Sequence, residues 1–285
     1  MASTTVFRSR YVMANGVRTH YTEVGDNGIP VVLLHGSGAG SSGEAGFARV
    51  LPLMAPHFRA IALDSIGGWG DTDVRAVAKH GIESRARHLA DFIDALGLEK
   101  VHLVGNSQGA WVAARYAIQN PDRVGKMVLV ATATVAWAMG IAMPETPGMR
   151  VLLSYDGTRG SMRKTLEAII HDKSMITDQL VETRLAAANR PGAAEARKAF
   201  NEGNRRFMED PGLRLNFDMR HTLPKLPNPT IMIWGEQDDF ASPEGGRQLE
   251  KVLPNVKFHW VKDAGHQVQT DKPREFARIV VDFLK

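Results

Sequence analysis

The stretch VHLVGNSQGAWVAARYA, residues 101–117, places one serine between two glycines where an apolar run passes into a helical pattern. Ser107 stands two residues from Gly105 and two from Gly109. A β-carbon at either glycine would crowd a sharp strand-to-helix turn. The helix that follows would direct its backbone N–H groups and positive dipole end at the serine. This G-x-S-x-G arrangement is typical of an exposed serine nucleophile.

The rest of the chain predicts a sheet that can carry such a turn. The alternating N-terminal segment around Asn15-Gly16 favours a β-hairpin. Continuous apolar runs are typical of strands buried on both faces, as in parallel sheets. Because helical patterns lie between several runs, we expect an open α/β sheet with right-handed crossovers. The runs are residues 31–35, 60–64, 101–105, 126–131, 230–235 and 256–261.

Residues 134–222 interrupt the alternation of strands and helices. The sequence predicts helices there, in SMRKTLEAIIHD, TDQLVETRLAAAN and GAAEARKAFNEGNRRFM. The strand pattern resumes at 230, so we expect a core of residues 1–133 and 223–285 with an inserted helical lid, 134–222. Methionines are frequent in the lid, and either helix packing or an adaptable apolar surface would explain them. They are Met139, Met143, Met149, Met162 and Met175.

A serine hydroxyl needs a base near neutral pH, and the turn predicts an acid and then a histidine later in the chain. TIMIWGEQDDF supplies Asp238 and Asp239 just after a strand. VKDAGHQVQ supplies His266 after the last strand. We therefore predict Ser107 as nucleophile, His266 as base and one of the two aspartates as the orienting acid. His35 follows a buried strand and is expected to be structural.

The segment VVLLHGSGAGSS, residues 31–42, predicts the remaining part of the site. A tetrahedral oxyanion needs two preorganised donors. The backbone N–H of Gln108, the residue after the nucleophile, is one candidate, and that of Ser37 is the other. A phosphate cradle is the rival interpretation of this glycine-rich loop. The loop lacks the lysine of the Walker motif, which disfavours a phosphate cradle.

The composition, 285 residues with 44% hydrophobic content and a formal net charge of +4, limits the other classes of function. Lysines and arginines are scattered, which disfavours a nucleic-acid partner. We expect no signal peptide and no membrane span, because no apolar stretch approaches about 18 residues. The absence of cysteine excludes thiolate chemistry and fits a reducing cytoplasm. Neither a metal nor an organic cofactor is expected, because no cluster has ligand spacing and the triad needs none.

With HGSGAG, GNSQGA, WGEQDD and GH in this order, the chain resembles the α/β-hydrolase superfamily over nearly its whole length. It is most similar to the meta-cleavage product hydrolases, C–C hydrolases that act on 2-hydroxy-6-oxo-hexa-2,4-dienoates from aromatic ring fission. This likeness rests on HGSGAG, on Asn106 and on the segment HDKSMITDQLVETRLAAA. The resemblance implies an α/β-hydrolase fold: a mostly parallel eight-stranded sheet, flanking helices and a helical lid. The family's spacing after Trp-Gly favours Asp238 as the acid.

The resemblance also implies how a small-molecule substrate is held. The family's lid carries a serine and an arginine that match Ser174 and Arg184, and that arginine binds the dienoate carboxylate. A guanidinium can pair with a carboxylate in a bidentate fork and so orient the conjugated arm. Asn106 is expected to hold the other end of that polar head, and Gly38 and Gln267 complete the expected substrate-binding set. The expected products are a carboxylic acid and a 2-hydroxypentadienoate.

Several positions differ from the usual family pattern, and the usual D-x-P-G turn reads DSIGGW at residues 64–69. Gly46 stands where asparagine is usual, Gln108 where methionine or leucine is usual, and Gln267 where tryptophan is common. Such changes reshape a pocket, so a carboxylesterase or lactonase with the same triad is an alternative. A non-catalytic small-molecule receptor is a more remote one. The family resemblance also favours a homodimer.

Overall fold

The computed structural model describes residues 5–285, and its centre is an eight-stranded sheet. The strands are β1 (Arg8–Ala14), β2 (Val17–Val24), β3 (Val31–Leu34), β4 (Ala60–Leu63), β5 (Val101–Asn106), β6 (Val124–Val130), β7 (Thr230–Gly235) and β8 (Lys257–Val261). Their order is β1-β2-β4-β3-β5-β6-β7-β8. The pairs β1–β2 and β2–β4 are antiparallel, and every other neighbouring pair is parallel. The predicted mostly parallel sheet is confirmed.

Apolar runs predicted the strands well because parallel strands are buried on both faces. The run 230–235 coincides with β7, and the other runs match their strands to within two residues at either end. Asn15 and Gly16 have φ angles of 46° and 81°, so the turn between β1 and β2 forms as the Asn-Gly pair predicts.

Helices cover both faces of the sheet. They are α1 (Gly43–Phe47), α2 (Leu51–Met54), α3 (Ile82–Ala95), α4 (Gln108–Gln119), α5 (Ala133–Ala138), α6 (Pro147–Leu153), α7 (Arg159–Ile169), α8 (Asp178–Ala188), α9 (Ala193–Glu209), α10 (Pro211–Arg214), α11 (Pro243–Val252), α12 (Val268–Asp271) and α13 (Pro273–Leu284). Alternation along β5 shows the two layers. Leu103 packs in one apolar cluster with Leu89 and Trp111, whereas Val104 packs in another with Phe276.

Between β6 and β7, where every residue is described, the chain forms helices and no strand. The three helices predicted in this segment correspond to α7, α8 and α9. Thr177 caps α8 by accepting a hydrogen bond from the Leu180 N–H, as a β-region threonine before a helix does. Met162, Leu166 and Val181 form part of a separate apolar cluster between these helices. The division into a core and a lid at 134 and 222 stays a prediction.

Within residues 5–285, no helix has both the length and the apolar character that crossing a membrane demands. The longest helix, α9, illustrates why. Its 17 residues include buried Phe200 and Phe207 on one side and the charged Arg205 and Glu209 on another. Such a helix covers an apolar core with one face and meets water with the other.

Candidate active site

The nucleophile turn forms where β5 passes into α4 through Ser107 alone. Ser107 has φ 57° and ψ −123°, a conformation that residues with a side chain rarely adopt. A β-carbon at Gly105 would collide with the backbone of Gly109, and one at Gly109 would collide with that of Leu34. Both glycines are therefore needed because α4 packs directly against the ends of β5 and β3.

Asp238 and His266 form a buried pair behind the serine. The His266 Nδ1 donates to the Asp238 Oδ2 at 3.0 Å. The other carboxylate oxygen accepts from the N–H groups of Phe240 and Ala241, at 2.8 and 2.7 Å. These bonds fix the carboxylate and leave the His266 Nε2 as the proton acceptor. Asp239, the alternative acid, is exposed to solvent.

Asp271 connects the loop that carries His266, called here the histidine loop, to the predicted lid through hydrogen bonds. Its carboxylate is 3% exposed and accepts from the Gly265 N–H at 2.8 Å. It also accepts from the backbone N–H groups of His171 and Asp172, at 3.2 and 2.8 Å. The end of α7 and the loop that carries His266 are therefore held by one carboxylate. Asp271 was not among the residues predicted from the sequence.

The candidate oxyanion loop lies against the nucleophile. A β-carbon at Gly36 would stand 3.2 Å from the Ser107 Cβ. Ser37 and Gln108 both line the cavity that contains Ser107. The two predicted donor residues therefore meet at the serine, one from the loop after β3 and one from the start of α4.

His35 has a structural role, because its side chain makes hydrogen bonds that hold the candidate oxyanion loop. Its Nδ1 donates to the Gly36 carbonyl at 2.6 Å, and its Nε2 accepts from the Ser65 N–H at 3.1 Å. Burial lowers the pKa of His35 to about 3, and the neighbouring Arg85 guanidinium adds to the effect. The imidazole is therefore neutral at physiological pH.

Arg184 lies in a recess of about 20 Å³ that it shares with Ser107 and His266. The side chain is 1% exposed. One guanidinium nitrogen donates to the Ala39 carbonyl and the Ser41 hydroxyl, at 3.2 and 3.1 Å. The Nε atom has no hydrogen-bond partner within residues 5–285. Burial lowers the pKa of Arg184 to about 10, so the group stays charged at neutral pH.

Ser107 also lines a larger cavity of about 740 Å³. Polar side chains on α9 border it as well, with Arg197 and Lys198 among them. Of the lid methionines, Met149 lines this cavity, whereas Met162 is buried in the lid's own cluster. The apolar lining consists of Ala39, Trp69, Ala133, Trp137, Met149, Leu152, Leu153, Ala194, Phe200 and Phe240.

Three of the expected substrate-binding residues lie beside Arg184 and Ser107. Gly38 makes room for the arginine, because a β-carbon there would stand 3.1 Å from its guanidinium. Asn106 lines the recess, but its amide nitrogen donates to the His266 carbonyl at 3.1 Å. Gln267 also lines the recess. Asn106 therefore holds the histidine loop, a role that the sequence did not indicate.

The structure does not bring Ser174 to the site. This residue is exposed in a short 3₁₀ turn, Lys173–Met175, that follows α7. Its hydroxyl donates to the Asp172 carboxylate at 2.6 Å, which satisfies it locally. Ser174 therefore does not line the recess at Arg184, and its contact with the substrate stays a prediction.

Two aromatic residues of the site were not among those predicted from the sequence. The Phe240 ring lies 4.4 Å from the His266 ring and lines both spaces at Ser107. Tyr155 lines the larger cavity, and its hydroxyl is buried without a hydrogen-bond partner within residues 5–285. Phe240 follows Asp238 by two residues, and Tyr155 lies in a loop after α6. Only the adjacency of Phe240 to the acid offered a signal in the sequence.

Comparison with known proteins places the chain in a family. The model of the α/β hydrolase fold matches residues 29–273. A 2-hydroxy-6-oxononadienedioate/2-hydroxy-6-oxononatrienedioate hydrolase from Pseudomonas putida is 34% identical, over 94% of this chain and 92% of its own. A 2-hydroxy-6-oxo-2,4-heptadienoate hydrolase from the same species is also 34% identical, over 96% and 95%.

A solved structure agrees with the sequence relatives. The meta-cleavage product hydrolase from Pseudomonas fluorescens superimposes with a TM-score of 0.79 at 31% identity, over 96% of both chains. The likeness therefore extends through the sheet and the lid alike. The chain belongs to the α/β-hydrolase fold family and, within it, to the meta-cleavage product hydrolases.

Proposed function

We propose that this chain hydrolyses the C5–C6 bond of 2-hydroxy-6-oxo-hexa-2,4-dienoates, with Ser107, His266 and Asp238 as the catalytic triad. The observation that carries the proposal is the buried guanidinium of Arg184. Its hydrogen-bond partners are the uncharged Ala39 and Ser41, and it shares a recess with Ser107 and His266. A buried cation without an acid is unfavourable unless a ligand supplies the anion. A dienoate carboxylate is such an anion.

The bond to be broken explains why the carboxylate must be held. A C–C bond has no good leaving group until the dienol has moved its hydroxyl proton to C5 and become a ketone. The electron pair of the broken bond can then spread to the oxygen at C2 as a dienolate. Arg184 would hold the carboxylate beside that oxygen in a bidentate fork and so orient the conjugated arm.

Ser107 would attack the C6 ketone while the His266 Nε2 takes its proton. The backbone N–H groups of Ser37 and Gln108 would stabilise the oxyanion. Collapse breaks the C5–C6 bond and leaves a dienolate, and the proton held by His266 passes to the C2 oxygen of that dienolate, releasing a 2-hydroxypentadienoate. Water, deprotonated by His266, then cleaves the acyl-serine and releases a carboxylic acid.

The recess at Arg184 must widen to admit a five-carbon arm, because its volume is about 20 Å³. Leu152 of α6 and Ile169 of α7 form part of its wall. Both belong to lid helices, so the lid would shift when the substrate enters and close again over the reaction. The larger cavity at Ser107 would take the group on the ketone, and its mainly apolar lining favours an alkyl or aryl group.

The proposal is tested by comparing two substrates in one variant. Arg184→Gln should lower kcat/KM for the 6-phenyl dienoate by about 10²-fold or more, because a buried charge pair is lost. It should leave hydrolysis of a neutral nitrophenyl ester within about threefold. Arg163→Gln, at an exposed lid arginine that pairs with Asp178, is the matched control. Equal losses on both substrates would overturn the carboxylate clamp and favour the carboxylesterase or lactonase.

The position of Gly46 bears on that alternative. Gly46 lines a separate cleft of about 860 Å³ with His20 and Asp64, away from the space that holds Ser107. Gly46 lines neither space at Ser107, so we expect its departure from the family pattern to leave the lining of the proposed dienoate pocket unchanged. We further propose a homodimer from the family resemblance and a cytoplasmic location from the cysteine-free composition. Light scattering on the purified protein measures the first, and fractionation of the source cells the second.

A further inference from the structure

Arg85 is a second buried arginine, and the proposed mechanism gives it no role. It lies on α3 and is 1% exposed. Its guanidinium donates to the His35 carbonyl at 2.6 Å, to the Ser65 hydroxyl at 3.2 Å and to the Gln108 side-chain carbonyl at 3.2 Å. Burial alone lowers the pKa of Arg85 to about 9, so it is charged at neutral pH. All three acceptors are uncharged, which makes this cation costly to bury.

We propose that Arg85 is a positioning residue of the oxyanion hole. It ties together the two segments that carry the donor N–H groups, those of Ser37 and Gln108, and places a fixed positive charge behind them. The inference rests on the proposed serine mechanism, although it holds for ester and C–C substrates alike.

The first segment is reached through His35. Arg85 holds the His35 carbonyl, and the His35 Nδ1–H donates to the Gly36 carbonyl at 2.6 Å. That carbonyl belongs to the same peptide group as the Ser37 N–H. Hydrogen bonding at the oxygen polarises the peptide, so the N–H becomes a stronger donor to an oxyanion. The Ser65 N–H keeps His35 in the required tautomer by donating to its Nε2 at 3.1 Å.

The second segment is reached through the Gln108 side chain. Gln108 begins α4, and its backbone N–H is the other donor. Methionine or leucine, the usual family residues here, could not accept the hydrogen bond from Arg85. The contact is therefore tied to this chain's own sequence at position 108.

An aromatic contact holds the guanidinium in place. The Arg85 Cζ lies 4.8 Å from the centroid of the Trp69 ring. The Trp69 indole N–H donates to the Gly38 carbonyl at 3.0 Å, in the same loop as Ser37. Trp69 also lines the larger cavity at Ser107. The charge is thus fixed and buried behind the two donor segments, where a charge acts more strongly on a developing oxyanion than it would in water.

Steady-state kinetics of Arg85→Met test the proposal on both the dienoate and the nitrophenyl ester. We expect kcat to fall by about 10–100-fold on both substrates while KM stays within about threefold, because the charge acts on the transition state. Arg115→Met is the matched control, since the Arg115 side chain on α4 is only 14% exposed but pairs with Glu83 of α3 instead of an oxyanion donor segment. That variant should lose stability and keep its kcat within about twofold.

Two further variants separate positioning from packing. Gln108→Met should lower kcat by about 3–10-fold, and combining it with Arg85→Met should add no further loss, because the two side chains act as a unit. Arg85→Lys retains the charge and should recover part of the kcat. A folded Arg85→Met with kcat within about twofold of the parent would overturn the proposal. If Arg85→Met does not fold, unchanged kcat in both Gln108→Met and Arg85→Lys would overturn it.

Kinetics on the nitrophenyl ester separate the positioning role of Arg85 from the proposed C–C hydrolysis. A chain that leaves the dienoate untouched but hydrolyses the ester would refute C–C hydrolysis. Arg85→Met would still have to lower the ester kcat for the positioning role to hold.

Discussion

Ser107 has a strained backbone conformation that the nucleophile turn requires. Its φ of 57° and ψ of −123° cost on the order of 1–3 kcal/mol in a residue with a side chain. Glycine adopts such angles freely, at an entropic cost of roughly 0.5–1 kcal/mol relative to alanine. Ser107→Gly should therefore be more stable than Ser107→Ala by about 1 kcal/mol, while both lack activity. Urea unfolding of the two variants measures the difference; equal stability, or a more stable alanine variant, would contradict the strain.

The acid of the triad can be assigned by a pair of neighbouring substitutions. Asp238 accepts from the His266 ring and from two backbone N–H groups, whereas the adjacent Asp239 is exposed. Asp238→Asn should lower kcat by roughly 10³–10⁴-fold, because the imidazole loses its orienting partner. Asp239→Asn is the matched control and should stay within about twofold. A large loss in the Asp239 variant alone would reverse the assignment.

At the scale of elements, the sequence predicted the strands, the nucleophile turn and the main lid helices, which depend on residues that are close together along the chain. The strands followed from apolar runs and the turn at Ser107 from its two glycines, because both are dictated by neighbours along the chain. The lid helices α7, α8 and α9 were also predicted, from three helical segments in a stretch without a convincing strand. His266 and the pair Asp238 and Asp239 were found because they follow strands of the same sheet, and the family resemblance then favoured Asp238.

Contacts between distant elements could not be predicted in this way. Arg85 lies on α3, and no local pattern shows that it meets the ends of β3 and α4. Asp271 is a polar residue near the end of the chain, and its lid partners lie about a hundred residues away. Ser174 was assigned by resemblance, but the turn after α7 directs its hydroxyl to Asp172. Such residues depend on how the elements pack.

Asp271 gives a prediction about how the lid and the core work together. It accepts three backbone N–H groups, one from the His266 loop and two from the end of α7. Asp271→Asn should destabilise the fold by about 2–3 kcal/mol and lower kcat/KM by roughly tenfold, because it loses charged hydrogen bonds that position the histidine loop. Asp282→Asn, at an exposed position on α13, is the control. Unchanged kinetics and unfolding in the Asp271 variant would show that the lid and the histidine loop are held by other contacts.

At the scale of the whole molecule, buried histidines make stability depend on pH. Burial lowers the pKa values of His35 and His88 to about 3, and the Arg85 charge contributes to both. In the unfolded chain a histidine protonates near about pH 6.5, so the unfolded state binds more protons below that value. The free energy of unfolding should therefore decrease as the pH falls from about 6.5 towards about 3.

A single substitution isolates this effect from the active site. The His88 Nδ1 accepts from the Ile66 N–H at 3.4 Å, and its Nε2 contacts the Thr19 hydroxyl at 2.8 Å, as a neutral ring does. His88→Gln should reduce the loss of stability between pH 6.5 and 5 by about 1–2 kcal/mol. Denaturant unfolding at several pH values gives the slope, with the exposed His221→Gln as control. A slope identical to that of the parent would mean that His88 does not remain neutral in the folded state.

The central claim is that Ser107 cleaves a carbon–carbon bond, and product analysis on the 6-phenyl dienoate tests it most directly. Purified protein should remove the yellow colour and release benzoate and 2-hydroxypentadienoate in equal amounts. Ser107→Ala should lower this rate by at least roughly 10³-fold. Persistence of the dienoate while a nitrophenyl ester is hydrolysed, or equal turnover by Ser107→Ala, would contradict the account.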